Sequence, residues 1–72
     1  MAVVLVLLFV MAAPGFAQTA ATYSKTATEF ARQKSWDQAI ADYRKALELE
    51  PNDPLTHYNL GLALKYKNEA RD

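Results

Sequence analysis

Hydrophobic residues recur at helical spacing through the middle of the chain. They lie three and four positions apart, as on one face of an α-helix, and they are Ala39, Ile40, Tyr43, Ala46, Leu47 and Leu49. Small residues alternate with large ones, so a second helix can approach Ala39 and Ala46 closely while Tyr43 fills the gap between them. Pro51 ends the helix, because its ring carries no amide donor and disfavours helical geometry in the preceding residue. The pattern predicts a helix over about residues 37–50.

The preceding residues predict a first helix from about Thr22 to Lys34. Its apolar face comprises Tyr23, Ala27, Phe30 and Ala31. The junction to the next helix is short, with Ser35 or Asp37 as the N-cap of that helix. A connection of this length requires an antiparallel helical hairpin. Trp36 closes the turn of the hairpin, and we expect Trp36 and Tyr43 to be structural residues that do not contact a ligand.

A third helix is predicted from Pro54 to about Lys67. Asp53 suits its N-cap, and Pro54 suits the first helical position, where a missing amide donor does no harm. Its buried side is expected to comprise Leu55, Tyr58, Leu60, Gly61, Leu62 and Leu64. Gly61 would permit a close helix crossing. The residues expected to face the hairpin are Leu60 and Leu64, and those expected on the open side include Leu55, Leu62 and Tyr66.

The first seventeen residues form an apolar leader. Its core, Ala2 to Ala13, is an unbroken apolar run, shorter than the roughly 20 residues of a membrane-spanning helix and within the roughly 7–15 of a signal-peptide core. Gly15-Phe16-Ala17 then offers the small-x-small shape that signal peptidase accepts. No basic residue precedes the run, so an uncleaved anchor and a buried core segment are alternatives to a cleaved signal. We favour export, periplasmic or secreted, with membrane attachment only if residues 1–17 stay uncleaved.

The charged residues are confined to the rest of the chain. All eight basic and all eight acidic residues lie from Lys25 onward, so the net charge there is zero. Nucleic-acid binding needs a basic stripe, and attraction to an anionic membrane needs a basic face, so neither is expected as a partner. Cysteine is absent, which excludes disulfides and thiol catalysis but does not decide the redox compartment.

The side chains that could carry chemistry are few and scattered. His57 is the only histidine, and the only serines, Ser24 and Ser35, lie in the other part of the chain. One histidine does not supply the several ligands that a metal site requires. Glu48 and Glu50 are two apart on a helix, so they point to different faces and do not form an acid/base pair. We therefore expect no catalytic residue, no metal and no cofactor.

Two motifs resemble the tetratricopeptide repeat (TPR). They are Ala39-x3-Tyr43 followed by Pro51, and His57-x2-Leu60-Gly61-x2-Leu64. The set Tyr23-x2-Thr26-Ala27-x2-Phe30 stands before the second motif at the family's 34-residue repeat length. The resemblance implies an all-α fold of about 1.5 repeats over residues 18–72, behind the leader. Repeat one, about 20–53, would be the antiparallel helix-turn-helix hairpin, and residues 54–72 would be the first helix of a second repeat.

The resemblance also implies a function. TPR proteins are non-catalytic protein–protein interaction scaffolds, which bind a partner peptide or helix on the concave face of their first, or A, helices. The residues implied to face this groove are Ser24, Thr28 and Arg32 in repeat one, and Tyr58, Leu62, Lys65 and Tyr66 in repeat two. Some members clamp a C-terminal carboxylate with Lys and Asn on one A helix and Asn on the next. Asn59 matches the last of these, whereas Ser24 and Thr28 replace the first two.

The second repeat stops after its first helix, although repeat arrays bury their core by stacking. We interpret the sequence as the front of a longer protein. Residues 18–72 alone are expected to be marginally stable or to self-associate through the open end of the array. The alternative function is a docking or substrate-recruiting module of a larger enzyme whose catalytic domain lies beyond residue 72. A membrane-tethered assembly factor with an uncleaved leader is a third interpretation.

Overall fold

The computed structural model describes residues 18–71, so the predicted leader at residues 1–17 lies outside the described part of the chain. Three α-helices follow one another there: α1 from Ala20–Arg32, α2 from Trp36–Leu49 and α3 from Pro54–Arg71. Residues 18–71 contain no β-strand. The predicted all-α fold, with a helical hairpin followed by a third helix, is confirmed.

Helix α1 begins and ends two residues earlier than its sequence pattern predicts. Thr19 is the N-cap, and its hydroxyl accepts a hydrogen bond from the Thr22 amide at 3.1 Å. At the other end Lys34 adopts a left-handed conformation with φ of 61°. Its amide donates to the Ala31 carbonyl, and the Ser35 amide donates to the Phe30 carbonyl. This pair of bonds is the Schellman motif, which stops a helix without a glycine at the turn.

The predicted caps of the other two helices are also found. Ser35 stands at the N-cap of α2, although its side chain makes no capping hydrogen bond. Asp53 caps α3 through Oδ1, which accepts from the Leu55 amide at 3.1 Å. Its Oδ2 accepts from the Thr56 hydroxyl at 2.7 Å. Helix α3 continues four residues beyond the predicted Lys67, because no Gly or Pro follows to interrupt it.

Helices α1 and α2 form the antiparallel hairpin. Lys45 Nζ lies 5.7 Å from the Tyr23 ring centroid, and the Thr28 and Tyr43 hydroxyls lie 2.8 Å apart. Later residues of α1 therefore lie beside earlier residues of α2, so the two helices are antiparallel. The buried core residues are Ala27, Ala39, Ile40, Tyr43 and Ala63, with Phe30, Ala31, Trp36 and Leu60 packed against them. Helix α2 contacts both neighbours extensively, whereas α1 and α3 touch over a short stretch. This leaves a groove between α1 and α3.

The predicted buried side of α3 is wrong for most of its residues. Thr56 and Ala63 are the buried positions of this helix. They are seven residues apart, on one face, and such small side chains let α3 approach the hairpin closely. Leu60 packs on the core as predicted.

The other large residues of α3 lie on its flanks or its outer side. Leu55 is 65% exposed, Tyr58 64% and Leu64 37%, so the expectation that Leu64 faces the hairpin is wrong. Leu55 and Tyr66 are exposed, as expected for the open side of α3, whereas Leu62 is half-buried. Gly61 is exposed, and a Cβ built there would have no neighbouring atom within 4 Å, so it marks no close crossing. In α2 the predicted core residue Leu49 is also exposed, because the last turn of the helix extends past the core.

Candidate functional site

The groove between α1 and α3 holds a pocket of about 260 Å³. We call it the groove pocket, and its lining residues are Thr28, Ala31, Arg32, Trp36, Tyr43, Asn59, Leu62, Ala63 and Tyr66. The contributions of α1 and of α3 are each spaced by three or four residues or are adjacent, so each helix presents one face. The two residues from α2, Trp36 and Tyr43, are seven positions apart and so lie on one face of that helix. The pocket is therefore built by all three helices, and most of its lining is apolar.

Hydrogen bonds hold two lining residues of the groove pocket, Thr28 and Tyr43, in place. The Thr28 hydroxyl donates to the Ser24 carbonyl at 2.9 Å. Its single proton is then used, so in the 2.8 Å contact between Thr28 and Tyr43 the phenol of Tyr43 must be the donor. Tyr43 itself is almost fully buried. Neither hydroxyl retains a proton for a ligand in this arrangement.

A second hydrogen-bonded chain joins α1 to α3. The buried Thr56 hydroxyl donates to Asp53 Oδ2 at 2.7 Å, so in its 3.1 Å contact with Ser24 it accepts the Ser24 proton. The hydrogen bond from Thr56 and those from the Leu55 and Thr56 backbone amides hold the pKa of Asp53 below its ordinary value of 3.8. Asp53 thus stays ionised at neutral pH, and the α3 N-terminus is tied to α1.

Aromatic rings form one wall of the groove pocket. The ring centroids of Trp36 on α2 and Tyr66 on α3 are 5.6 Å apart, with planes inclined by 31°. This distance lies within the range of favourable aromatic pairing. The residues that follow these two aromatics, Asp37 and Lys67, form an ion pair between α2 and α3, with Lys67 Nζ 2.6 Å from Asp37 Oδ1. These contacts hold α2 and α3 together beside the pocket.

The groove pocket carries a positive charge and no carboxylate. Arg32 is the one charged residue in its lining. The Arg32 side chain is 73% exposed, and its contact with Glu29 is a long 3.7 Å ion pair between residues of the same helix. Such exposed pairs hold a side chain only weakly. The Arg32 guanidinium is therefore accessible to an incoming anion.

A model of the TPR repeat family matches residues 27–67, more than half of the chain. The chain belongs to the TPR repeat family. The Hsp70-Hsp90 organising protein of Plasmodium falciparum (isolate 3D7) is similar to it, with 45% identity over 31 residues, or 43% of this chain. The chain spans only about 6% of the length of that curated relative. No solved structure matches the chain. TPR repeats are typically non-catalytic modules for protein–protein interaction.

Four of the seven groove residues that the TPR resemblance implies lie together in the groove pocket: Thr28, Arg32, Leu62 and Tyr66. Ser24 lies beside it in the contact between α1 and α3. Tyr58 and Lys65 are outside the lining and exposed. Lys65 Nζ stands 5.9 Å from the Tyr66 ring centroid, at a distance compatible with a cation–π contact. Partner binding by these seven residues stays a prediction.

Sequence reasoning missed part of this TPR pocket. Tyr43 belongs to the buried core and Trp36 packs against it, as expected, but both also line the pocket, where a ligand could touch them. Ala31 and Ala63 line it because their small side chains leave space. Asn59 lines it too, and its side-chain amide forms no hydrogen bond with another described residue. The sequence does carry a signal for this face of α3, because Asn59 and Tyr66 lie three and four positions from Leu62, as residues on one side of a helix do.

The only histidine of this TPR chain has a structural contact. His57 Nε2 lies 2.7 Å from the Pro51 carbonyl, on the exposed side of the α2–α3 turn. Among residues 18–71, no three His, Asp or Glu side chains are grouped closely enough to hold a metal ion. Within the same residues, none of the helices has the length and apolar character needed to cross a membrane.

Proposed function

We propose that this chain is an exported TPR scaffold that binds a segment of a protein partner in the groove between α1 and α3. The observation that carries the proposal is the groove pocket itself. It is apolar and open, and it is bounded by side chains whose positions are fixed by hydrogen bonds and aromatic packing. A preformed surface of this kind reduces the ordering cost that a flexible partner segment must overcome on binding.

A scaffold fits better than a recruiting module on an enzyme. The Hsp70-Hsp90 organising protein is named for organising two other proteins, which is the work of a scaffold. The positions that carry the Lys and Asn of a carboxylate clamp in some TPR proteins are here Ser24 and Thr28. Both hydroxyls already donate inside the protein. The partner is therefore expected to be recognised mainly by the groove pocket and not by a clamp on α1.

Peptide selection tests this function directly. A library of random peptides is displayed, and the peptides that bind the full chain are recovered and measured individually. Leu62→Glu places a charge in the groove pocket, and Leu64→Glu places the same charge on the other flank of α3. We expect binding to fall with Leu62→Glu and to persist with Leu64→Glu, both variants being checked by circular dichroism. Failure to select any peptide, or equal loss in two folded variants, would contradict the proposed site.

Export is tested separately. It rests on the apolar run of Ala2 to Ala13 and on the small residues Gly15 and Ala17 that follow it. We expect N-terminal sequencing of the protein recovered outside the cytoplasm to begin at Gln18. A product that keeps Met1 and sediments with membranes would favour an uncleaved anchor instead.

A further inference from the structure

We propose that the groove pocket recognises an internal acidic–apolar segment of the partner. One large apolar side chain enters the pocket, and the carboxylate of a neighbouring Asp or Glu side chain binds Arg32. This inference rests on the proposed function, because it names the chemistry of the segment that the scaffold binds.

The apolar half of the inference follows from the lining. Six of the nine lining residues are apolar or aromatic, namely Ala31, Trp36, Tyr43, Leu62, Ala63 and Tyr66. The hydroxyls of Thr28 and Tyr43 are already paired, because both donate hydrogen bonds within the protein. A polar side chain placed in the pocket would lose its hydration and find few partners, which is unfavourable. An aliphatic or aromatic side chain would give up no hydrogen bond on entering and would bury apolar surface.

The acidic half follows from the groups that remain able to donate. Among the lining residues these are the Arg32 guanidinium, the Asn59 amide and the Trp36 indole N–H, and Arg32 is the charged one. The lining has no carboxylate, and the exposed Lys65 adds a second positive charge beside Tyr66. A partner carboxylate can replace Glu29 at Arg32 with little loss, because the existing 3.7 Å contact is long and exposed. The charge on this side of the groove is therefore complementary to an acidic segment.

The position of Arg32 favours a side-chain carboxylate over a chain end. A terminal carboxylate is held when several donors converge on it, and the hydroxyls of Ser24 and Thr28 are committed elsewhere. Arg32 stands on the last turn of α1, largely exposed at the edge of the pocket. An Asp or Glu side chain from a segment that continues past the pocket can reach this guanidinium, and arginine binds carboxylates with two parallel hydrogen bonds, in bidentate geometry.

The chain carries its own reporter for the test. Trp36 is the only tryptophan, and it lines the groove pocket. Its fluorescence therefore reports on occupation of the pocket without a label. The probe is a pentapeptide, Gly-Glu-Leu-Asp-Gly, acetylated at its N-terminus and amidated at its C-terminus. Three matched peptides replace Leu by Gly, replace Glu and Asp by Gln and Asn, or combine the Gln and Asn form with a free C-terminal carboxylate.

The protein variants separate a local role of Arg32 from a general effect of charge. Arg32→Gln and Arg44→Gln make the same change at two exposed positions, and Arg44 on α2 is not among the pocket residues. Neither side chain is in the core, so both variants are expected to melt like the parent chain. The titrations are made with the full 72-residue chain at low and at high salt.

The expected result is tightest binding of the acidic–apolar peptide, weakening on addition of salt. Its affinity should exceed that of the Gln and Asn peptide by about twofold to fivefold, as for an exposed charge pair. Arg32→Gln should remove this difference and Arg44→Gln should keep it. Equal binding of acidic and neutral peptides would overturn the inference, as would equal effects of the two variants. Tighter binding of the neutral peptide with a free C-terminus would identify a chain end as the source.

Failure here is distinguishable from failure of the proposed function. If peptide selection yields ligands that lose affinity with Leu62→Glu but contain no carboxylate, the groove is a binding site and only the acidic specificity is wrong. If Gly in place of Leu leaves binding unchanged, the apolar half of the inference is wrong.

Discussion

Ser24 on α1 donates its hydroxyl proton to Thr56 on α3 across 3.1 Å. The two residues are 32 positions apart, and the bond joins the two helices that form the groove. Thr56 is 2% exposed, and its own hydroxyl donates a hydrogen bond to Asp53. A buried hydroxyl thus connects the N-terminal cap of α3 to the neighbouring helix.

Replacing Thr56 tests the importance of this connection. Thr56→Val keeps the shape of the side chain but removes both hydrogen bonds, leaving Ser24 and Asp53 without this partner. We expect the free energy of unfolding to fall by about 1–3 kcal/mol. Thr56→Ser keeps the hydroxyl and should lose less. Chemical denaturation of the three proteins gives the measurement, and an unchanged midpoint for Thr56→Val would show that the bond contributes nothing.

Acid titration tests the Asp53 cap. The Thr56 hydrogen bond is the main cause of the lowered pKa of Asp53 in the folded chain. A carboxylate with a lowered folded pKa stabilises the protein above its unfolded pKa and loses that effect as pH falls through the folded value. Stability should therefore decline as pH falls below about 4. Thr56→Val should raise the pKa of Asp53 and flatten this part of the profile. Parallel profiles for wild type and variant would contradict the assignment.

Gly61 is predicted to tolerate a larger residue. It lies inside α3 and is exposed, and an added Cβ meets no neighbouring atom within 4 Å. Gly61→Ala should stabilise the chain by about 0.5–1 kcal/mol, because alanine restricts the unfolded backbone and favours the helix. Thermal melts at several protein concentrations provide the check. Destabilisation would mean that another surface, such as a second copy of the chain, packs closely against Gly61.

Tyr43 has two separable contributions to stability. Tyr43→Phe removes only the hydroxyl that donates to Thr28, and it should cost about 0.5–1.5 kcal/mol. Tyr43→Ala empties the centre of the core and should cost about 3–5 kcal/mol. That loss is comparable to the whole stability of a helical unit of this size. Circular dichroism should show a cooperative melt for Tyr43→Phe and none for Tyr43→Ala. Similar melts of the two variants would place Tyr43 outside the core.

The features that the sequence predicts well are local ones. Pro51 ends α2 and Asp53 begins α3 through their own covalent and hydrogen-bonding properties, so neighbouring residues suffice to identify them. The hairpin follows from the short connection between α1 and α2. The left-handed turn at Lys34 ended α1 earlier than its pattern predicts, because a lysine here occupies a conformation that usually belongs to glycine.

The face of α3 could not be read from its periodicity. Large apolar residues such as Leu55, Tyr58 and Leu64 are spread around this helix, so no single stripe stands out. The hairpin packs against the face that carries the small residues Thr56 and Ala63, which allow close approach. The groove pocket depends on the same choice. Its position was implied by the family's repeat register, but its depth depends on the space left beside Ala63.

Amide NMR shifts measured during titration with a selected peptide test the central claim most directly. If the peptide binds in the groove, the shifts that change should lie on α1 around residues 28–32 and on α3 around residues 59–66, with the Trp36 indole among them. The exposed face of α2, which carries Gln38 and Arg44, should be unaffected. Changes concentrated on that face of α2, with residues 28–32 and 59–66 unchanged, would contradict the account.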